Sequence, residues 1–293
     1  MRYYLRDGTL VVRGDFHALS SGVDGGLSHV PTLLNHTVPH GYDAPEPGRT
    51  LFYVAASLGL SDSCFGLMTS VPMHHLVVLR YDYLTVFITA GVTHPTPEAP
   101  GTINIIVTSS EGLSPSALAG AFITITEAKV QGLCDRGRSF TGTTSDAIIV
   151  ASEGEVLHQY AGPATPPGIR MMSAVRYGVA IALDRHEGRI PADRPAFFIY
   201  SRFNGGGFVE WSQMNCPYYP CHFKAQQCDF CYCPLYPCGD ETLGGFVTGS
   251  SGVRVWACTD CTLNHEPEVV RHLKRNPEAT LSELKAVSKK RKN

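Results

Sequence analysis

Residues 74–92, HHLVVLRYDYLTVFITAGV, decide the fold class. β-branched and aromatic side chains crowd the stretch, and Asp82 interrupts it. Such side chains fit a pleated surface and lose rotamer freedom in a helix. The pattern predicts strands at 75–80 and 84–90. Downstream, Gly101-Thr102-Ile103-Asn104-Ile105-Ile106-Val107 reads as a strand buried on both faces. Asn104 is its interior polar residue, so it requires hydrogen-bond partners. Residues 147–151, AIIVA, add another strand. Upstream, residues 2–5 and 9–12 flank Asp7-Gly8, a dipeptide that favours a tight hairpin turn.

Two helices are written between and after these strands. Ser114-Pro115 places a hydroxyl N-cap before a proline at the first helical position. Leu118, Phe122, Ile125 and Leu133 continue an apolar stripe, and Glu127 and Lys129 read as exposed helix charges. A second helix is predicted over 169–186 after Pro166-Pro167-Gly168, with Met171, Met172, Val175, Val179, Ala182 and Leu183 on one face. His186 reads as a surface residue by the helix C-terminus. Strands alternating with two long helices predict an α/β or α+β sandwich over residues 1–203, a mixed sheet with two long helices.

The composition agrees with a packed core. Of 293 residues, 43% are hydrophobic and 17% are charged, too few charges for a disordered chain or a coiled coil. No run approaches the roughly 18 apolar residues that cross a bilayer. The opening MRYYLRDGTLVVRGD carries Arg6, Asp7 and Arg13 and does not read as a signal peptide. A soluble, cytoplasmic protein is the expectation.

Cysteines divide the chain. Cys64 and Cys134 stand apart and read as core residues rather than nucleophiles. The other eight are Cys216, Cys221, Cys228, Cys231, Cys233, Cys238, Cys258 and Cys261. Cys-Pro-Tyr-Tyr-Pro-Cys and Cys-Pro-Leu-Tyr-Pro-Cys nearly repeat, and Cys258-x-x-Cys261 has the spacing of a metal knuckle. Four thiolates satisfy tetrahedral zinc, so eight suggest two structural zinc ions, with an iron–sulfur cluster and a disulfide framework as rivals. A metal stabilises a segment too small to bury its own core. Residues 208–293 are therefore expected to form a cysteine-rich metal-binding domain after a joint at Phe203-Asn204-Gly205-Gly206-Gly207. Its end, residues 267–293, carries eight Lys/Arg against three Asp/Glu and reads as a solvated basic helix, with Thr280 and Glu283 at capping-box spacing.

Two polar loops draw chemical interest. Leu19-Ser20-Ser21-Gly22-Val23-Asp24-Gly25-Gly26-Leu27 could bring backbone amides close to a ligand. Thr141-Gly142-Thr143-Thr144-Ser145-Asp146 sets four hydroxyls and a carboxylate before a strand, which points to a polar site or a capped turn. Neither a nucleophile elbow nor a dinucleotide fingerprint is present.

These segments, taken in order, resemble one family. They are Leu19-Ser20-Ser21 with Gly25-Gly26, Asn35 to Val38 (NHTV), Thr89-Ala90-Gly91-Val92, the strand at 101–107, Thr126-Glu127-Ala128-Lys129, the loop at 141–147, and Tyr160-Ala161-Gly162. Over about residues 10–185 the chain resembles the adenosylcobinamide amidohydrolases of corrinoid salvage. The repeated C-P-x-Y-P-C resembles the cysteine-rich small domain sometimes fused to them.

The resemblance implies hydrolysis of the amide that joins a corrin propionyl side chain to aminopropanol, giving adenosylcobyric acid. Cobalt would then belong to the substrate. Amide hydrolysis needs an activated water or nucleophile, an acid for the leaving amine and donors for the oxyanion. Asn35 with the Gly25 and Gly26 amides could polarise the carbonyl. Asp146 or Glu127 could be the base, Thr143 or Ser21 a nucleophile, and His36 the proton carrier. Ser20, Ser21, Gly25, Gly26, Asn104, Thr141 and Gly142 are the candidate substrate contacts. Two other classes remain open: a corrinoid carrier without hydrolysis, and a zinc-knuckle nucleic-acid-binding protein. The net charge of −2 disfavours nucleic acid and a membrane surface.

Overall fold

The computed structural model describes residues 1–92, 101–202, 205–216, 218–248 and 254–289. The predicted joint at Phe203-Asn204 and the last four residues of the basic tail lie outside them. By internal contacts the chain forms two compact units, Tyr3–Trp211 and Met1–Arg2 with Ser212–Asn293. No helix among the described residues is long and apolar enough to cross a membrane.

The large unit is a mixed sheet with helices packed on it. Its strands are β1 (Arg2–Arg6), β2 (Thr9–Ser20), β3 (Gly26–Thr37), β4 (Phe65–Thr69), β5 (Val77–Tyr81), β6 (Leu84–Gly91), β7 (Thr102–Ser109), β9 (Ala147–Ser152), β11 (Ala196–Ser201) and β12 (Gly207–Glu210). Short β8 (Gly112–Leu113) and β10 (Val156–His158) pair with each other beside it. The order is β12-β11-β5-β6-β7-β9-β2-β3-β4, with β1 on β2. Within this sheet three of the described pairs are parallel, β11 with β5, β7 with β9, and β3 with β4.

The predicted strands appear with shifted ends. Met73–His75 form a 3-10 turn, so β5 begins at Val77. Asp7 and Gly8 both take positive φ, as a two-residue hairpin turn on a twisted ladder requires. The sequence of 19–27 reads as one loop, yet β2 runs to Ser20 and β3 starts at Gly26, which leaves a turn of five residues. β2 also contains a bulge between Arg13 and Phe16. The Asp15 amide, displaced from the ladder there, donates to Glu153 Oε1 at 3.2 Å.

Two long helices cover one face. α2 (Pro115–Cys134) is capped by Ser114, whose Oγ accepts from the Ala117 amide at 3.0 Å. α3 (Pro166–His186) starts ahead of the predicted position, because Thr165 Oγ1 caps the Gly168 amide at 3.2 Å. Their buried stripes meet Leu79, Val86, Ile88, Ile103, Ile105 and Val150 from the strands in one apolar core. On the other side the sheet curls back on itself. Asn35 of β3 reaches Thr89 of β6 and Asn104 of β7, strands that the order separates from β3 by β9 and β2. A third helix, α1 (Pro47–Ser57), packs Ala55 against Val11 and Leu34.

The small unit holds a hairpin, β13 (Gly245–Thr248) with β14 (Arg254–Ala257), and two short helices, α4 (Pro267–Arg275) and α5 (Leu281–Lys289). Leu263, Val269, Leu273, Ala279 and Leu284 form its modest core. The capping box is reciprocal: the Thr280 amide donates to Glu283 Oε2 at 2.7 Å, and the Glu283 amide donates to Thr280 Oγ1 at 3.4 Å.

Candidate active site

A cleft of about 510 Å³ opens in the large unit. Its wall joins the β2–β3 turn (Ser21, Gly22), the loop after β3 (Val38 to Tyr42), the end of β4 (Met68, Thr69), Thr102 at the start of β7, and Thr144, Ser145 and Asp146 ahead of β9. β7 and β9 run parallel, so their first residues stand side by side. That is why two segments far apart in sequence supply one polar rim.

Asp146 is the most heavily bonded group there. Its Oδ1 accepts from the Ile103 amide (2.9 Å) and Thr143 Oγ1 (2.6 Å). Its Oδ2 accepts from Lys129 Nζ (2.5 Å) and the Thr143 amide (3.1 Å). Lys129, read from the sequence as an exposed charge, is buried: its side chain is 9% exposed and that of Asp146 13%. The missed signal is its position one turn after Ile125, on the apolar stripe rather than opposite it. A Cβ at Gly142 would stand 2.5 Å from both Asp146 Oδ2 and Lys129 Nζ, so a larger residue there would displace the pair. Thr143 Oγ1 also lies 2.5 Å from Gly101 O; with one proton, it donates to that carbonyl or to Asp146, not to both.

Two hydroxyls outside the predicted site set face the cleft together. Ser145 Oγ is 2.8 Å from Thr102 Oγ1 and 2.9 Å from Gly101 O. When Ser145 donates to Thr102, the Thr102 proton is left to point into the cleft.

The other predicted residues separate. Ser21 lines the cleft, but its Oγ accepts from the Ile148 amide at 3.0 Å and lies 3.4 Å from Ile148 O, which ties the turn to β9. Ser20 Oγ accepts from the Gly22 amide at 3.0 Å. The Gly25 amide closes the turn on Gly22 O at 3.1 Å, and Gly26 has φ +118. Thr141 is exposed. Asn35 donates to Thr89 Oγ1 at 3.0 Å and accepts from Asn104 Nδ2 at 2.9 Å; Asn104 also donates to Met68 O at 2.9 Å, behind the cleft wall. His36, the next residue on β3, takes the opposite face, where Nδ1 meets Thr9 Oγ1 at 2.8 Å and burial pushes its pKa down. Glu127 is exposed on α2, two positions from Lys129 and on another side of the helix. His186 is half-buried against Gly91, with its pKa lowered by burial, and Cys134 is exposed.

In the small unit the eight cysteines fall into two sets by mutual charge. Cys231 is pushed up to about 11 by burial, then by Cys228, Cys216 and Cys221. Cys233 is pushed up to about 11 by burial, opposed by the Leu235 amide and raised further by Cys261, Cys258 and Cys238. Gln226 Nε2 lies 3.2 Å from both Cys221 Sγ and Cys228 Sγ. Among the described residues no three His, Cys, Asp or Glu side chains form a preformed cage for an ion. The fit to a metal therefore rests on donor chemistry, two sets of four soft thiols, and not on a closed coordination shell. A cavity of about 330 Å³ lies beside them, lined by Cys233, Cys258, Trp256 and His265 among others.

Comparison with known proteins agrees with this division. The family model for adenosylcobinamide amidohydrolases matches residues 4–191, and that for the cysteine-rich small domain matches 207–288. An adenosylcobinamide amidohydrolase of Methanosarcina mazei is 39% identical over 196 residues, 63% of this chain and 98% of the relative. One from Halobacterium salinarum is 31% identical over 194 residues, 59% of this chain and 82% of the relative. The cysteine-rich part is 48% identical over 62 residues to a probable cobalt-factor III C(17)-methyltransferase of Methanothermobacter thermautotrophicus, 21% of this chain and 17% of that protein. The chain belongs to the adenosylcobinamide amidohydrolase family and carries a cysteine-rich small domain after its hydrolase domain.

Proposed function

We propose that the protein hydrolyses the amide between the corrin propionyl side chain and aminopropanol in adenosylcobinamide, in the cleft that contains Thr102, Ser145 and Asp146. The observation that carries this reading is the convergence of the family's segments on one polar cleft: the β2–β3 turn, the start of β7 and the loop ahead of β9. Thr102, to which Ser145 donates, turns its own proton to the carbonyl oxygen as it gains charge. Asp146, with both oxygens bonded, anchors the loop, and its negative charge is compensated by Lys129. The Thr143 amide and hydroxyl hold Asp146 in place, and Asn35 and Asn104 brace the wall at Met68. Ser20, Ser21, Gly25 and Gly26 shape the turn on the opposite rim. The substrate's cobalt takes no part in this step.

The test is mass spectrometry of the purified protein with adenosylcobinamide in the dark, which protects the cobalt–carbon bond. Adenosylcobyric acid as product supports the assignment. Binding without product would make the protein a corrinoid carrier.

The same proposal gives the cysteine-rich domain two structural zinc ions, one held by Cys216, Cys221, Cys228 and Cys231 and the other by Cys233, Cys238, Cys258 and Cys261. All-cysteine zinc sites leave no coordination position open for chemistry. Elemental analysis checks this: two zinc per chain are expected, and iron with acid-labile sulfide would replace zinc by a cluster.

A further inference from the structure

We propose that His40 is the acid–base residue of the cleft, the group that takes a proton from the attacking water and returns it to the leaving amine. This rests on the hydrolase assignment above and adds a residue to it.

Among the described residues three titratable side chains line the cleft: Asp146, Tyr42 and His40. Asp146 accepts from the Ile103 and Thr143 amides and from Lys129, with the Thr143 hydroxyl 2.6 Å from Oδ1, which leaves it poorly placed to take a proton from a water in the cleft. The Tyr42 hydroxyl is paired with Thr50 Oγ1 at 2.6 Å, at the edge of α1. His40 is exposed, and no hydrogen bond holds its ring among the described residues. An imidazole can both accept and donate a proton near neutral pH.

The backbone fixes where His40 stands. The Tyr42 amide donates to Pro39 O at 3.1 Å, and Gly41 has φ +79. That is a type II turn with His40 at its second position and glycine where positive φ is needed. One side of the turn is tied to β4, the Val38 amide donating to Thr69 O at 2.8 Å. The other is tied to α1 through Tyr42. A residue anchored on both sides and facing a cleft is placed for more than solubility.

The step balances as follows. The neutral ring nitrogen of His40 removes one proton from water as the water oxygen bonds to the amide carbon. The carbonyl electron pair moves onto oxygen, toward the Thr102 hydroxyl. When that pair returns, the carbon–nitrogen bond breaks, and the His40 imidazolium gives its proton to the amine nitrogen. Water is divided between the acid and the amine, and His40 ends as it began.

His40→Ala and His40→Gln are assayed for release of adenosylcobyric acid beside the unsubstituted chain, with and without added imidazole. The expected result is a loss of about 10²–10⁴-fold in kcat for both, KM changing little, with imidazole restoring turnover to His40→Ala and not to His40→Gln. Melting temperatures are expected to match, because the side chain is exposed. Full turnover by His40→Ala overturns the assignment, and so does a loss that imidazole leaves untouched. An unsubstituted chain that releases no product overturns the hydrolase reading itself, a different failure from an active chain with an active variant.

Discussion

Single residues decide whether the cleft keeps its shape. Lys129 and Asp146 compensate each other's charge with little of either side chain exposed, so removing one leaves the other stranded. Breaking a buried pair in this way costs about 3–5 kcal/mol. Lys129→Met is expected to lose about that much in urea unfolding, and Lys129→Arg less, because it keeps the charge. His75 makes a prediction of a different kind. Burial, with the neighbouring charges of His74, His186 and Arg185, lowers its pKa to about 4. The unfolded chain therefore binds a proton near pH 6.5 that the folded chain refuses until about pH 4. Its contribution is complete above pH 6.5 and is lost as pH falls toward 4. Unfolding free energies at pH 7, 5.5 and 4.5 are expected to decline less steeply in His75→Phe than in the unsubstituted chain.

Among the elements, those with strong local signals were legible in the sequence. β6, β7, α2, α3 and α5 sit close to where residue type and capping chemistry put them. The Ser114 cap is one such signal: its Oγ accepts from Ala117 and donates to Gln159 O at 2.9 Å. Ser114→Ala is expected to lower stability by about 1 kcal/mol, read in a thermal melt. What the sequence concealed is long-range. Nothing local distinguishes residues 13–18 as the middle of a twelve-residue strand, because its bulge breaks the alternation. Lys129 reads as an exposed charge in the sequence because its partner, Asp146, comes from another element. Asn35 and His36 looked like a joint pair in the chain, but adjacent positions on a strand point to opposite faces, and only tertiary packing shows which face meets the cleft wall. Loop 141–146 was singled out by its polarity, whereas Thr102 and His40 carried no such mark, and the parallel β7–β9 pair and a turn after β3 bring them to the same cleft.

For the whole molecule, every described residue that lines the cleft lies between positions 21 and 147, inside the large unit. A chain ended after Trp211 is therefore expected to keep its turnover of adenosylcobinamide within about twofold, measured by product formation. A loss of more than tenfold would make the cysteine-rich unit part of the catalyst. The strand order also has a meaning in time. β5 gains its hairpin partner β6 as soon as the chain passes Gly91, but its other edge is covered by β11, which begins at Ala196. As the chain leaves the ribosome, β7, β9 and the cleft can assemble while that edge still offers unpaired amides and carbonyls to any passing strand. The nascent protein is thus exposed to mispairing at this edge between the completion of its cleft and the arrival of β11, before any of the eight clustered cysteines has emerged.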